Sequence, residues 1–381
     1  MAVLMLLVLA NVVFESSPLL VLNSQMKSST ITQADEDSKD KETMSLLFLV
    51  MGEARYFPRW YDLLCEVSSP ALTTFPDANF LRVDPAMIQT TLVYGTYDAF
   101  IAPDMHPDIS CQSDPLYRKE EAPKGQQQPS NISCHTRYVV NTTWTQGRNQ
   151  LAKEAILLEH QRQSKFDFWI FLDDDVRFQC LMPGGHDEVD CWRRFLYYLT
   201  SPKLPSKVTT LSARIMKSNT FVRNNTSEFF VTSKPDASVA AWRRDAVPYM
   251  LPYARISKDH SEWTSQAVLF CVLMTCMPHS ALYTAGIGAT NREHRDYQRR
   301  NFTPRNIAID TEHSYGNYIP DMSRKCLNYD YHQPMGLWGP YSDFDSAISK
   351  IPEPNKTTSS YCAPSADRFL AWEQSIVRQE E

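Results

Sequence analysis

The nine cysteines of this chain include no Cys-x-x-Cys pair, so the usual framework of a structural zinc site is missing. There is no basic stripe either. A net charge of −6 and a pI near 5.9 leave nothing to hold a polyanion, which excludes broad nucleic-acid binding. No internal repeat is visible. The apolar start, Met1 to Phe14, falls short of the roughly 20 residues a spanning helix needs, and Glu15, Ser16, Ser17 and Pro18 break it. It also lacks a basic beginning. Its length fits a signal peptide over residues 1–23. A signal anchor continuing through Leu19, Leu20, Val21 and Leu22 is the other possibility, at the expense of burying Glu15. Either way the expected destination is the secretory pathway, in the ER or Golgi lumen, as a secreted or single-pass type II membrane protein.

What is present agrees with that destination. Asn131, Asn141, Asn224, Asn225, Asn301 and Asn355 each stand two residues before Ser or Thr with no proline between, as N-glycosylation acceptors do. In an oxidising lumen the cysteines are expected to form disulfides. Cys111 with Cys134 and Cys180 with Cys191 are the local pairings, and an odd count leaves at least one thiol over. Residues 24–44 are Ser, Thr, Gln, Asp, Glu and Lys with almost nothing to bury, which reads as a disordered stem. At 381 residues, 43% of them hydrophobic, the chain can bury one large α/β core or two small ones, and residues 45–381 are expected to form one catalytic body.

Within that body, Ser45 to Met51 reads as a buried first strand and Trp60 to Val67 as the helix after it. Pro103 to Ser133 is an aperiodic insertion. Arg137 to Val140 resumes a strand, and Gly147 to Gln163 is an amphipathic helix. The helix leads into Phe166 to Leu172, an aromatic and β-branched run with no helical period, buried on both faces. Strand, helix, strand makes a βαβ unit and a mostly parallel sheet. Beyond it, Cys191 to Leu199 reads as a helix and Val208 to Ala213 as a strand. Phe229 to Val231 and Ala237 to Trp242 suggest a small second sheet; Trp263 to Met277 and Asp367 to Arg378 read as helices.

The central run stops at Asp173, Asp174 and Asp175. Three adjacent acids repel one another, and at the C-terminal edge of an open α/β sheet a divalent cation relieves that repulsion. On an extended backbone Asp173 and Asp175 share a side, so together they can hold a hard cation, which in turn binds phosphate oxygens. Rival readings are a Ca²⁺-binding turn, a merely solvated turn, and a phosphatase of the haloacid dehalogenase type. The last wants Thr or Val where Arg177 stands, and its later Gly-Asp pair is missing.

The apolar strand ending in Asp-Asp-Asp, preceded by Gln146-Gly147-Arg148-Asn149-Gln150-Leu151, resembles the nucleotide-sugar-dependent glycosyltransferases of the GT-A fold. The resemblance runs from about Ser45 to His294. It implies a mostly parallel central sheet flanked by helices, with residues 45–175 as the nucleotide-sugar half and 176–381 as the acceptor half. It also implies transfer of a sugar from a nucleoside-diphosphate donor, a UDP-sugar first, to a glycan or glycoprotein, with Mn²⁺ or Mg²⁺. Asp173 and Asp175 would then be metal ligands, with His294 as a third and His313 as its rival. Arg148, Asn149, Asp173 and Asp174 would meet the nucleotide. Glu262 is the favoured base over Asp259, although either acid also suits the start of a helix without any chemistry. Trp242, Trp263 and Trp338 are candidates to stack on a sugar; Trp242 reads more readily as core, and Trp338 lies in a Gly- and Pro-punctuated stretch that could form a lid. A secreted carbohydrate- or Ca²⁺-binding protein with the fold but no catalysis is the alternative.

Overall fold

The computed structural model describes residues 43–67, 88–99, 132–139, 142–180, 187–215, 229–235, 238–254, 263–291, 303–319, 321–327, 338–353 and 356–380. Strand β1 (Met44–Gly52) leads into helix α1 (Phe57–Val67), followed by β2 (Ile88–Thr96), β3 (Ile132–Tyr138) and α2 (Trp144–Arg162). Then come β4 (Phe168–Asp173), β5 (Val176–Cys180), α3 (Glu188–Leu199), β6 (Thr210–Ile215), β7 (Phe229–Thr232) and β8 (Val239–Arg243). The rest is α4 (Val247–Met250), α5 (Trp263–Cys276), β9 (Ala281–Asn291), α6 (Pro304–Tyr315), α7 (Met322–Leu327), β10 (Trp338–Tyr341), α8 (Phe344–Lys350) and α9 (Lys356–Glu380).

β1 shows why helices cover both faces. Its side chains alternate, so Leu46, Phe48 and Val50 enter one core with Trp60 of α1 and Trp192 of α3, while Leu47, Leu49 and Met51 enter a second. The second core holds Leu151 and Ala155 of α2, the apolar α5, and Phe369 of α9. Neither face of β1 is left to solvent, as its unbroken apolar run requires.

The described strands form one sheet in the order β10-β7-β9-β6-β8-β4-β1-β2-β3, with β5 pairing off this path with β9. β3, β2, β1 and β4 are parallel. β8 enters antiparallel between β4 and β6, β6 runs parallel to β9, and the remaining ladders are antiparallel. The sheet is therefore parallel in its first part and mixed beyond β4. The expected small second sheet does not form from β7 and β8, which are strands of the main sheet. Val239, Ala240 and Ala241 are fully buried, because an Ala-rich strand with no polar alternation lets helices close over both its faces.

β9 bends at Gly286, whose φ of 69° suits a residue without Cβ. Before the bend β9 pairs with β7, and after it with β5. Trp338 opens the edge strand β10 instead of a lid loop, paired with Val231 of β7. The C-terminal helix also begins earlier than its apolar spacing indicates, at Lys356.

Cys180 and Cys191 are joined as expected, linking β5 to α3. Cys271–Cys326 and Cys276–Cys362 tie α5 to α7 and to α9, and Cys65 is also disulfide-bonded. Cys134 is a free thiol, so the expected pairing with Cys111 is not made; Cys134 sits within β3 and packs on the core instead of closing a loop. No helix among the described residues is long and apolar enough to cross a membrane. The signal segment, the stem up to residue 42 and the six sequon asparagines fall outside the described residues. All described residues belong to one unit, Glu42–Glu381.

Candidate functional site

The order β3-β2-β1-β4 places a topological switch point between β1 and β4, since the chain leaves β1 toward β2 and β3 on one side and returns on the other. In open α/β sheets ligands bind in the crevice beyond the carboxyl ends of such strands. Here those ends are Gly52-Glu53 of β1 and Asp173 of β4, which lies opposite Met51.

Asp173 is held from α2. Its Oδ1 accepts from Trp144 Nε1 at 2.9 Å and from Arg148 Nη2 at 2.7 Å. These donors are four residues apart, one turn above the other on a single helix face. The helix start is fixed by a reciprocal capping box: the Thr143 hydroxyl accepts the Gln146 N–H, and the Gln146 side chain accepts the Thr143 N–H. Gly147 lets the helix approach β1 closely, for a Cβ there would stand 2.7 Å from Met51 Cε. At the far end of α2, buried Glu159 accepts from the Phe166 N–H, Trp169 Nε1 and Arg244 Nε. The helix is thus pinned to both ends of β4.

Arg148 is fully buried. Its guanidinium lies 4.1 Å from the Trp144 ring centroid and 5.6 Å from that of Phe171, and Nη1 donates to the Tyr253 hydroxyl at 3.4 Å. Burial by itself would lower its pKa, but Asp173 and Tyr253 outweigh that and hold the group above its ordinary value. It is a permanent buried cation beside the first acid. Asn149 turns to the same segment, with Nδ2 donating to the Tyr253 carbonyl at 3.2 Å and Oδ1 accepting the Tyr253 N–H at 2.7 Å.

Asp174 folds back onto β1, where Oδ2 accepts the Glu53 N–H at 2.8 Å. Gly52 makes this possible: any Cβ there would overlap Cβ and Cγ of Asp174. Burial pushes the Asp174 carboxyl up to about 7, with the Glu53 N–H pulling it down and the Asp175 and Asp173 charges pushing it further up. Its main-chain carbonyl accepts from Trp60 Nε1 at 3.0 Å, and from Arg59 Nη1 and Arg177 Nη1, each at 3.4 Å. Arg59 Nη2 continues to the Val176 carbonyl and to Glu188. Asp175, second residue of this turn, is only 8% exposed.

The three acids therefore have three settings. Asp173 is paired with a buried cation through one oxygen, Asp174 braces β4 against β1, and Asp175 sits between that brace and β5. Their mutual repulsion, which the sequence leaves to a divalent cation, is relieved in part by Arg148.

The structure brings Arg148, Asn149, Asp173, Asp174 and Asp175 together, and directs Arg148 to Asp173 and Asn149 to the Tyr253 backbone. Asp259, Glu262 and His294 lie outside the described residues. His313 is exposed in the last turn of α6. Among the described residues no three His, Cys, Asp or Glu side chains converge as a metal-binding group. Trp242 is core, paired across the ladder with Trp169. Trp338 opens β10, five strand steps from β4, or roughly 24 Å along a flat sheet. Trp144, Tyr253, Glu53, Arg59 and Trp60 are site residues that are not among the candidates the sequence offers for the site. Only Trp144 carries a local signal, its i, i+4 spacing from Arg148. No family model matches the chain, and no curated protein matches it.

Proposed function

We propose that the chain is a metal-dependent glycosyltransferase of the GT-A type, moving a sugar from a nucleoside-diphosphate donor, a UDP-sugar first, to a glycan or glycoprotein acceptor in the secretory lumen. The observation that carries this reading is the position of the Asp cluster, at the carboxyl end of β4 and at the switch point beside β1, where an α/β sheet binds its ligand. The order strand, capped helix with Gly147-Arg148-Asn149, strand, acids supports it. The disulfides fit an oxidising compartment.

The residues fit Mn²⁺ or Mg²⁺. Both hydrogen bonds to Asp173 described above fall on Oδ1, so Oδ2 and the Asp175 carboxylate are the oxygens that would hold it. Mg²⁺ keeps several waters and binds through one or two carboxylates plus substrate phosphates, so a converging third protein ligand is not required. When bound, the ion would act as a Lewis acid on the departing diphosphate. Arg148 and Trp144 orient Asp173, and the β4–β5 turn keeps Asp175 in place. Glu262, with Asp259 second, remains the proposed base, and His294 the proposed additional ligand. Tyr253, just before that acidic stretch, is clamped to the start of α2.

Asp175→Ala is expected to abolish metal-dependent hydrolysis of the donor, measured across a panel of UDP- and GDP-sugars, while the protein still folds and is secreted. Unchanged donor turnover in that variant would sink the reading. Calorimetry separates it from a secreted binding protein: nucleotide binding that requires Mn²⁺ supports the enzyme, and Ca²⁺ or glycan binding with no nucleotide affinity supports the other.

A further inference from the structure

A buried arginine on one of the two oxygen-rich side chains expected to hold a cation is an unexpected choice if the site were built to bind that cation tightly by itself. The Arg148 guanidinium donates at 2.7 Å to Oδ1 of Asp173, is fully buried, and is further confined by the Trp144 and Phe171 rings and the Tyr253 hydroxyl. It cannot swing away to make room. Asp174, the middle acid, is committed to the Glu53 N–H. Of three adjacent carboxylates, one is thus offset by a fixed positive charge and another is turned into the scaffold.

We propose that Arg148 is a positioning residue that restricts Asp173 to single-oxygen contact and holds down the affinity of the site for a bare divalent cation, so that the ion binds well only together with a diphosphate. This deepens the glycosyltransferase reading and rests on it for the identity of the diphosphate, although its metal arm can be measured without any turnover. The reason is electrostatic. A fixed cation 2.7 Å from one oxygen of Asp173 would repel an ion held through the other, and with Arg148 fully buried solvent screens that repulsion poorly. The two phosphates of the ligand bring the negative charge and the extra oxygens that a hexacoordinate ion needs and that the paired Asp173 withholds.

The test is Mn²⁺ titration of the full chain, followed by electron paramagnetic resonance of free Mn²⁺, with and without inorganic pyrophosphate as the probe, each titration being referred to the same pyrophosphate without protein because pyrophosphate chelates Mn²⁺ by itself. The wild-type protein is expected to bind Mn²⁺ at least tenfold more tightly with pyrophosphate than without. Arg148→Met is expected to tighten binding of Mn²⁺ alone by roughly tenfold or more, on the scale of one buried unit charge, and to shrink the gain from pyrophosphate. Arg148→Lys, which keeps the charge, is expected to bind Mn²⁺ alone as the wild type does.

Removing a buried ionic partner is costly, so Arg148→Met could fail to fold. Trp144→Phe is the second variant: it deletes one N–H donor to the same oxygen and keeps the ring. It is expected to shift Mn²⁺ affinity in the same direction, by two- to threefold. Tight wild-type binding of Mn²⁺ alone, equal tightening in Arg148→Lys, or weaker binding in Trp144→Phe each overturns the proposal. If the metal data follow expectation and no donor in the panel is turned over, the enzyme reading fails and the role of Arg148 stands.

Discussion

Asp173, Asp174 and Asp175 are identical in chemistry and distinguished only by what surrounds them, so the residue scale is where the site is most sensitive. Gly52 sets the middle one. Gly52→Ala is expected to force Asp174 off the Glu53 N–H and to lower stability by about 1–3 kcal/mol, the usual cost of overpacking, which a denaturant titration reads directly. A second residue-scale expectation concerns Cys134, half-buried in β3, whose thiol is pushed up by desolvation from an ordinary value near 9 to about 12. The native state therefore keeps this proton between pH 9 and 12 while the unfolded chain releases it. Stability from this group is fully present below pH 9 and is lost as pH rises toward 12. Cys134→Ser is expected to flatten the fall in melting temperature above pH 9, and the native thiol to resist alkylation at pH 8 until the chain unfolds. Equal alkylation rates with and without denaturant would contradict a raised thiol pKa in the folded chain.

At the scale of elements, the sequence is most legible where burial is continuous. β1, β4 and α5 are long apolar runs, and the structure places them within about two residues of where patterning does. α2 starts three residues earlier than expected because its capping box begins at Thr143, a signal in the polar residues and not in the apolar ones. β2 does not stand out from patterning, since Thr90-Thr91 and Gly95 interrupt its apolar run, yet its strand lies fully paired between β1 and β3. β8 and β9 are harder still. Whether Val239, Ala240 and Ala241 form a separate layer or a central strand depends on partners far along the chain, and the bend of β9 at Gly286 looks like a loop until both its partners are known. The pairing of Arg148 with Asp173 has the same character: two elements meet end to end, and nothing local announces it. The Asn149 clamp is the testable joint of this arrangement. Asn149→Ala removes both hydrogen bonds to the Tyr253 backbone and is expected to cost roughly 2 kcal/mol, since two main-chain groups lose their partner. Hydrogen exchange at the Tyr253 amide should rise well before that of β4.

For the molecule as a whole, α5 is the fixed post of the C-terminal half, joined by Cys271–Cys326 to α7 and by Cys276–Cys362 to α9. The second bridge spans 86 residues, and restricting so long a loop in the unfolded chain is worth roughly 4–5 kcal/mol in the chain-entropy account. Replacing Cys276 and Cys362 together by alanine is expected to lower the melting temperature markedly while leaving Cys180–Cys191 formed; an unchanged melting temperature would argue that the bridge adds little. The β4–β5 turn is secured differently, through the Asp174 carbonyl that Trp60, Arg59 and Arg177 share. That carbonyl belongs to Asp174, so replacing the neighbouring Asp175 side chain leaves the anchorage intact. If the reading proposed above holds, a copy that has lost Asp175 loses its chemistry and keeps its fold, and it would be recognised by a retained Trp60 facing a lost acid.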